Sequence, residues 1–343
     1  MAVPGRAARR VQARAVGATS LAMQRAKQLH QGSRAARGLV TAAELSSRTE
    51  RTQEQYDQYV KIFRAWQVSN CRVNLPLEMD LLDFVDDAMG TGRPPPSAVE
   101  KIVAAVLAAT PGSSRRSMPR LTTALSGFKK IHPPLSREPL PMELVAAVIA
   151  VSLARGRRSF ALFVMTALAG YFRPGELRRM RVADLRGPSG GLQEGLEFWT
   201  LTVAPRELAV ASKTQTFDDT VVMDKPVWLG PMLGHFIAGR PLPDPLFPLS
   251  EDETVDFWKE ALVDLLMVAP LPVLYQLRHA GVTADLLAKF RSPIEAQARG
   301  RWATTVCLRR YVKPGVVQKA LAKLHPATRS YARAAFKNLE LLL

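Results

Sequence analysis

The chain has 343 residues, 47% of them hydrophobic, which is enough to bury cores for two domains and excludes a fully disordered polymer. A formal net charge of +17 points to a polyanionic partner, because neutralising phosphates releases counterions; charge alone does not separate DNA, RNA and anionic membrane. Cys71 and Cys307 are the only cysteines, which excludes a disulfide framework and a paired-cysteine metal knuckle, and the longest apolar stretch, 160–171, is shorter than the roughly 20 residues of a spanning helix.

The first 43 residues contain no Asp or Glu but hold Arg6, Arg9, Arg10, Arg14, Arg25, Lys27, Arg34 and Arg37. Residues 1–45 read as a basic, disordered arm adding phosphate contacts; the same composition suits an organellar transit peptide. Ser47 and Glu50 form a capping box ahead of Tyr56, Tyr59, Val60, Phe63 and Trp66, which repeat at helical spacing. Leu77, Leu81, Leu82, Val85 and Met89 mark a second helix, stopped by the GTGRPPP loop at 90–96. Ser97 and Glu100 repeat the capping signature before Val99, Ile102, Val103, Val106 and Leu107, and a short helix carries Leu121, Leu125 and Phe128. Residues 46–131 are therefore expected to form a small all-helical domain.

Clustered prolines make 132–141 a linker of extended, semi-rigid chain. A second domain, 142–326, opens with helical periods over 144–153 and 160–171. The pattern then changes: 196–203 and 220–223 are β-rich, predicting a small antiparallel sheet with Lys213 in or beside a turn. Helices are expected again over 255–266, 274–287, 304–312 and 315–324. A last helix, 327–343, ends in the apolar tip LELLL.

Four residues in separate segments carry the chemistry: Arg173 in YFRPGEL, Arg278 in LYQLRHAG, Trp302 in RGRW and Tyr311 in RRYVKP. Displacement at a phosphodiester concentrates negative charge on non-bridging oxygens, and a guanidinium offers a planar, permanently charged fork that matches two of them. Arg173 and Arg278 are thus candidate phosphate clamps, and the Trp302 indole N–H is a candidate third donor. Tyr311 is the candidate nucleophile. Its phenol, with an ordinary pKa of about 10, needs nearby cations to favour phenolate, for which Arg309 and Arg310 join the two arginines. Fixed donors of this kind stabilise a transition state without a metal, and no Asp/Glu/His cluster is spaced for two-metal catalysis, so no metal or other cofactor is expected. Arg115, Arg116, Lys129 and Lys130 are candidate DNA contacts, as are Arg309 and Arg310.

The ordered set resembles the tyrosine recombinase (phage integrase-like) family over roughly 46–324: an Arg in a GYFRPGELRRM box, a Lys on a hairpin, the QLRHAG box, then Trp302 with Tyr311 nine positions on. The resemblance implies a mainly α fold with a small antiparallel sheet, in which a core-binding domain (46–131) and a catalytic domain (142–326) clamp duplex DNA. It implies site-specific cutting and rejoining through a 3′-phosphotyrosyl intermediate, with Lys213 as general acid. It also implies a homo-oligomer, dimer to tetramer, assembled on double-stranded DNA, with segment 327–343 docking on a neighbouring subunit. Glu176 would orient Arg173, and His279 would sit beside the site as a supporting group.

Two positions depart from the pattern. Tyr275 stands where the family commonly has His or Lys, and Trp302 replaces the more frequent His. Together they suit a eukaryotic mobile-element member and hence a nuclear protein, with mitochondrion or plastid as the alternative raised by the arm. Tyr275 also keeps open a domesticated, catalytically inactive DNA-binding protein, and the shared nucleophile keeps open a type IB topoisomerase-like activity. No membrane partner is expected.

Overall fold

The computed structural model describes residues 50–72, 75–133, 138–189, 197–208, 216–311 and 314–343, with only the backbone of 50, 307, 309 and 310. Outside the described residues lie the arm 1–45, Ser47, part of the Pro-rich segment (134–137) and Lys213. The described residues fall into two compact units, 50–133 and 138–343.

The first unit is built from α1 (Glu50–Ser69), α2 (Leu77–Thr91), α3 (Pro96–Ala109) and α4 (Pro119–Ile131). The apolar stripes enclose one core in which Phe63, Leu81, Phe84, Val99, Val103, Leu121 and Phe128 are almost fully buried. Trp66 closes its edge, packing edge-on to Phe84 at 5.3 Å and donating its indole N–H to Asp87 at 2.9 Å. The GTGRPPP loop stops α2 as expected: the helix runs to Thr91 and ends at Gly92, whose φ of +68° only glycine adopts without strain. One expected cap is corrected. The Ser97 capping box does not form, because α3 already begins at Pro96, a residue whose φ is preset for a helix start, and the capping position is Pro95, which has no side-chain acceptor.

The second unit is mainly α with a small antiparallel sheet, the predicted class. Its centre is the pair α5 (Met142–Ala154) and α6 (Arg158–Ala169), apolar on nearly every face: residues 144–150 and 160–168 are buried without interruption. The polar side chains inside them, Ser152 and Thr166, bond back to the carbonyls of Val148 and Leu162. Next comes α7 (Pro174–Arg179), then β1 (Leu185–Arg186), β2 (Thr200–Val203) and β3 (Asp219–Val222), antiparallel in the order β1-β2-β3. Leu201 faces Val221 across the ladder and both are buried.

The remaining helices are α8 (Leu229–Phe236), α9 (Glu251–Asp264), α10 (Gln276–Leu287), α11 (Pro293–Gly300), α12 (Pro314–Lys323), α13 (Pro326–Lys337) and α14 (Leu339–Leu342). The segment expected as a helix at 304–312 is instead a 3-10 turn, Thr305–Arg310. The last segment is two helices, not one. Its α13 packs on α5 of its own chain, burying Thr328, Ala332 and Ala335, with the Thr328 hydroxyl donating to the Leu265 carbonyl at 2.7 Å. Among the described residues no helix is long and apolar enough to cross a membrane.

Where α10 crosses α6, a Cβ on Gly281 would sit 2.1 Å from the Leu168 carbonyl oxygen and 2.9 Å from Tyr171 Cδ1. The obstruction is backbone and cannot swing aside. Gly281→Ala is expected to destabilise by about 1–3 kcal/mol, seen as a lower urea midpoint; an unchanged midpoint would mean that the two helices do not meet this closely.

Candidate active site

The site is assembled around the turn that leaves α6, residues 169–173, where Tyr171 takes a φ of +50°. Two buried arginines hold that turn. Arg299 donates Nε and Nη2 to the Ala169 carbonyl at 2.9 and 2.7 Å. Arg278, completely buried, donates Nη1 to the Tyr171 carbonyl and Nη2 to the Gly300 carbonyl, so it fastens the turn to the end of α11. Burial, followed by the charges of Arg173 and Arg301, pushes its guanidinium down to about 10, which leaves it cationic at neutral pH.

The same turn is held from its other side. The Tyr171 hydroxyl donates to Asp285, and burial, then the Asp285 charge, pushes the phenol well above its ordinary range. Arg291 bridges Asp285 at 3.0 Å and Asp224 at 2.6 Å, and Arg299 reaches Asp224 at 3.1 Å. Burial opposes ionisation of Asp224, but the Arg291 and Arg299 contacts outweigh it and hold the carboxyl below its ordinary value.

Arg173 is the residue that starts α7. The Glu176 carboxylate accepts its backbone N–H at 2.8 Å and its Nη1 at 2.5 Å, and also accepts Arg301 Nη2 at 2.7 Å. Glu176 therefore orients Arg173 and joins it to Arg301, which sits just past α11 with a left-handed φ of +54°. Burial would raise the Glu176 pKa; the Arg301 charge and the Arg173 hydrogen bonds override it and hold the carboxyl low.

Tyr311 directly follows the 3-10 turn and is 6% exposed. Its carbonyl accepts the Thr283 hydroxyl at 2.9 Å. Its ring lies 4.9 Å from His279 and 5.4 Å from Trp302, and His279 lies 5.3 Å from Tyr275. Trp302 also stacks on Tyr171 at 6.4 Å and takes the Arg278 guanidinium on its face at 4.6 Å. Gly300 makes room for this indole, since a Cβ there would come within 1.9 Å of it.

The structure thus brings Arg173, Glu176, Tyr275, Arg278, His279, Trp302 and Tyr311 into one region. Tyr275 and Arg173 share the wall of a cavity of about 630 Å³ that runs over Trp258 and Leu274. Lys213 and the side chains of Arg309 and Arg310 lie outside the described residues. Arg115, Arg116, Lys129 and Lys130 belong to the first unit; Arg115 and Lys129 share Glu100 at 3.7 and 2.6 Å, and Arg116 and Lys130 are exposed. Sequence reading missed Arg301 and the supporting set Tyr171, Asp224, Asp285, Arg291 and Arg299. Arg299 and Arg301 had one signal, a basic pair flanking Gly300 immediately before Trp302.

Because Glu176 is more acidic folded than unfolded, its contribution to stability is complete above the unfolded carboxylate range, near 4.5, and is lost as pH falls through the folded value. Glu176→Gln should flatten the acid side of the stability profile below about pH 5, measured by urea unfolding at stepped pH. An acid limb identical to that of the parent would contradict the buried Arg173–Glu176–Arg301 geometry.

No family model matches the sequence, and no curated protein matches it. Solved structures do. The chain is similar to the Tn1549 transposon integrase in complex with transposon right-end DNA, at 13% identity over 92% of this chain and 99% of that one, with a TM-score of 0.55. It is also similar to a lambda integrase dimer bound to a COC′ core site, at 14% identity over 79% of this chain and 92% of that one, with a TM-score of 0.50. With its helical bulk, three-stranded sheet and arginine-centred site, the chain has the tyrosine recombinase fold.

Proposed function

We propose that the chain is a site-specific DNA recombinase or integrase that cuts and rejoins duplex DNA by metal-independent transesterification. The observation that carries this reading is the convergence of Arg173, Arg278, Trp302 and Tyr311 from separate segments on one buried region. The Tyr311 phenol attacks phosphorus, forming a P–O bond to tyrosine and breaking the P–O5′ bond. The DNA is left with a 3′-phosphotyrosyl link and a 5′-hydroxyl. Lys213 protonates the departing oxygen as the phenol loses its proton. Attack by a 5′-hydroxyl of another strand runs the step backward and releases the enzyme, with the number of phosphodiesters conserved and no ATP consumed.

Arginine is suited to the role at this site. Among the described residues Arg173 and Arg301 form ion pairs with one carboxylate, Glu176, while the buried Arg278 bonds to main-chain carbonyls, so these three arginines outnumber the carboxylate they surround by two in a low dielectric. A phosphodiester passing to a dianionic pentavalent state is the charge that such a region stabilises. The domain at 46–131 supplies backbone contacts through Arg115, Arg116, Lys129 and Lys130, and the protein acts as an oligomer assembled on DNA in the nucleus.

A second reading is a DNA clamp without chemistry. It is favoured by Tyr275 at the customary His or Lys position and by an Arg278 whose two terminal nitrogens are taken by main-chain carbonyls. Nicked duplexes taken from the DNA flanking the reading frame separate the two. The recombinase reading expects a denaturant-stable protein–DNA adduct that disappears in Tyr311→Phe while duplex binding persists. Absence of the adduct, or an undiminished adduct in the variant, would sink it. Both readings expect steeply salt-dependent binding, and the exposed Arg116 and Lys130 are expected to carry phosphate contacts. Replacing both by Ala should lower the slope of log affinity against log salt by about 2, with no change in sequence preference; an unaltered slope would remove these side chains from the interface.

A further inference from the structure

We propose that Arg301 is a positioning residue of the phosphate site, setting the Arg173 guanidinium through Glu176. The inference rests on the recombinase reading and adds to it a residue that no part of the four-residue signature contains. Three observations carry it.

The first is geometry. Arg301 and Glu176 side chains are 6% and 3% exposed and meet at 2.7 Å; on its other oxygen the same carboxylate holds Arg173 Nη1 at 2.5 Å. Glu176 is too short and too enclosed to turn independently, so where Arg301 places one oxygen decides where the other directs Arg173. The second is backbone. Position 301 has φ +54° and ψ 43°, a conformation that favours glycine, yet it carries a long, charged side chain. A residue kept in a strained conformation when glycine would relax it is held there by what its side chain does. The third is the arrangement of donors. The Nε atoms of Arg173, Arg278 and Arg301 are each buried without a hydrogen-bond partner among the described residues. Arg301 belongs electrically to the same cluster as the two arginines of the signature: after burial, the charges of Arg173 and Arg301 push the Arg278 guanidinium down, and the charge of Arg173 acts on Arg301 in the same direction.

The charged groups around Glu176 are Arg173 on its own turn, Arg278 from α10, Arg301 from the end of α11, Arg179, Arg181 and Asp184, which share with it a cavity of about 310 Å³, and Arg178, Glu251 and Lys259, which line the 630 Å³ cavity with it. Asp219 on β3 acts on Arg301 through its charge. Removing Arg301 takes away the strongest cation on Glu176 while leaving Arg173 in place, so the carboxyl should ionise at higher pH and hold Arg173 less firmly.

The test compares wild type, Arg301→Gly and Arg301→Lys as full-length protein. Glycine relaxes the backbone at this position, which protects folding, and lysine restores a charge without the fork. Two measurements are made: the titration of the Glu176 carboxyl by ¹³C NMR, assigned by its loss in Glu176→Gln, and the pH dependence of adduct formation on the nicked duplex. The proposal expects R301G to move the Glu176 midpoint upward, to slow the adduct at least tenfold with duplex affinity within about threefold, and to shift the acid limb of the rate profile upward in step. R301K should recover part of each. A uniform fall in rate with an unmoved acid limb and an unmoved Glu176 midpoint would reduce Arg301 to a packing residue and overturn the proposal, as would a wild-type rate in R301G. If wild type itself forms no adduct, the recombinase reading fails by that result, and an unmoved Glu176 midpoint in R301G would separately refute the hold of Arg301 on Glu176.

Discussion

Everything in the second unit depends on one buried cation finding main-chain acceptors. A guanidinium withdrawn completely from water is costly unless its terminal donors are matched, and carbonyl oxygens are the acceptors that a folding chain always has to offer. By taking the carbonyl of Tyr171 and that of Gly300, Arg278 makes its own desolvation conditional on two loops being in register. One loop carries Arg173; the other leads into Arg301 and Trp302. The geometry of the candidate site is therefore a by-product of satisfying a charge, and Arg299, bonded to the carbonyl of Ala169, repeats the device one step earlier in the same turn.

Buried ion pairs are weak evidence for stability, because the desolvation of both partners consumes most of the Coulombic gain. The Asp224, Asp285, Arg291 and Arg299 network is better understood as a specifier of position. It ties the end of β3, the C-terminal half of α10 and α11 to one another through short contacts of defined direction, and Tyr171 connects that frame to the aromatic group around Tyr311.

How much of this was legible in the sequence follows from what each signal measures. Apolar period measures burial of a face, and it found α1, α2, α5 and α6, whose cores are continuous. It missed α8, where Gly230, Pro231 and Gly234 read as loop; in the fold Trp199 lies so close that a Cβ at either glycine would come within 2.6 or 2.0 Å of its side chain. It missed α11 although Ser292 and Glu295 make a capping box there, and it missed β1 because two residues have no period. Arg173, Arg278, Trp302 and Tyr311 were found through their joint order and spacing, since none of them is distinctive alone. Arg301 had only the basic pair around Gly300 to mark it, since its distinctive property is a backbone angle, and Glu176, recognised as a partner of Arg173, gave no hint of a second partner 125 residues away.

The 3-10 turn that precedes Tyr311 changes what holds that residue. Such turns bond poorly and rarely run beyond a few residues, so backbone hydrogen bonding along 305–310 does little to fix the phenol. Side chains do it instead: the Thr283 hydroxyl holds the Tyr311 carbonyl, and His279 and Trp302 close on its ring. The orientation of the candidate nucleophile is thereby a property of α10 and of the segment after α11, not of the stretch of chain that carries it.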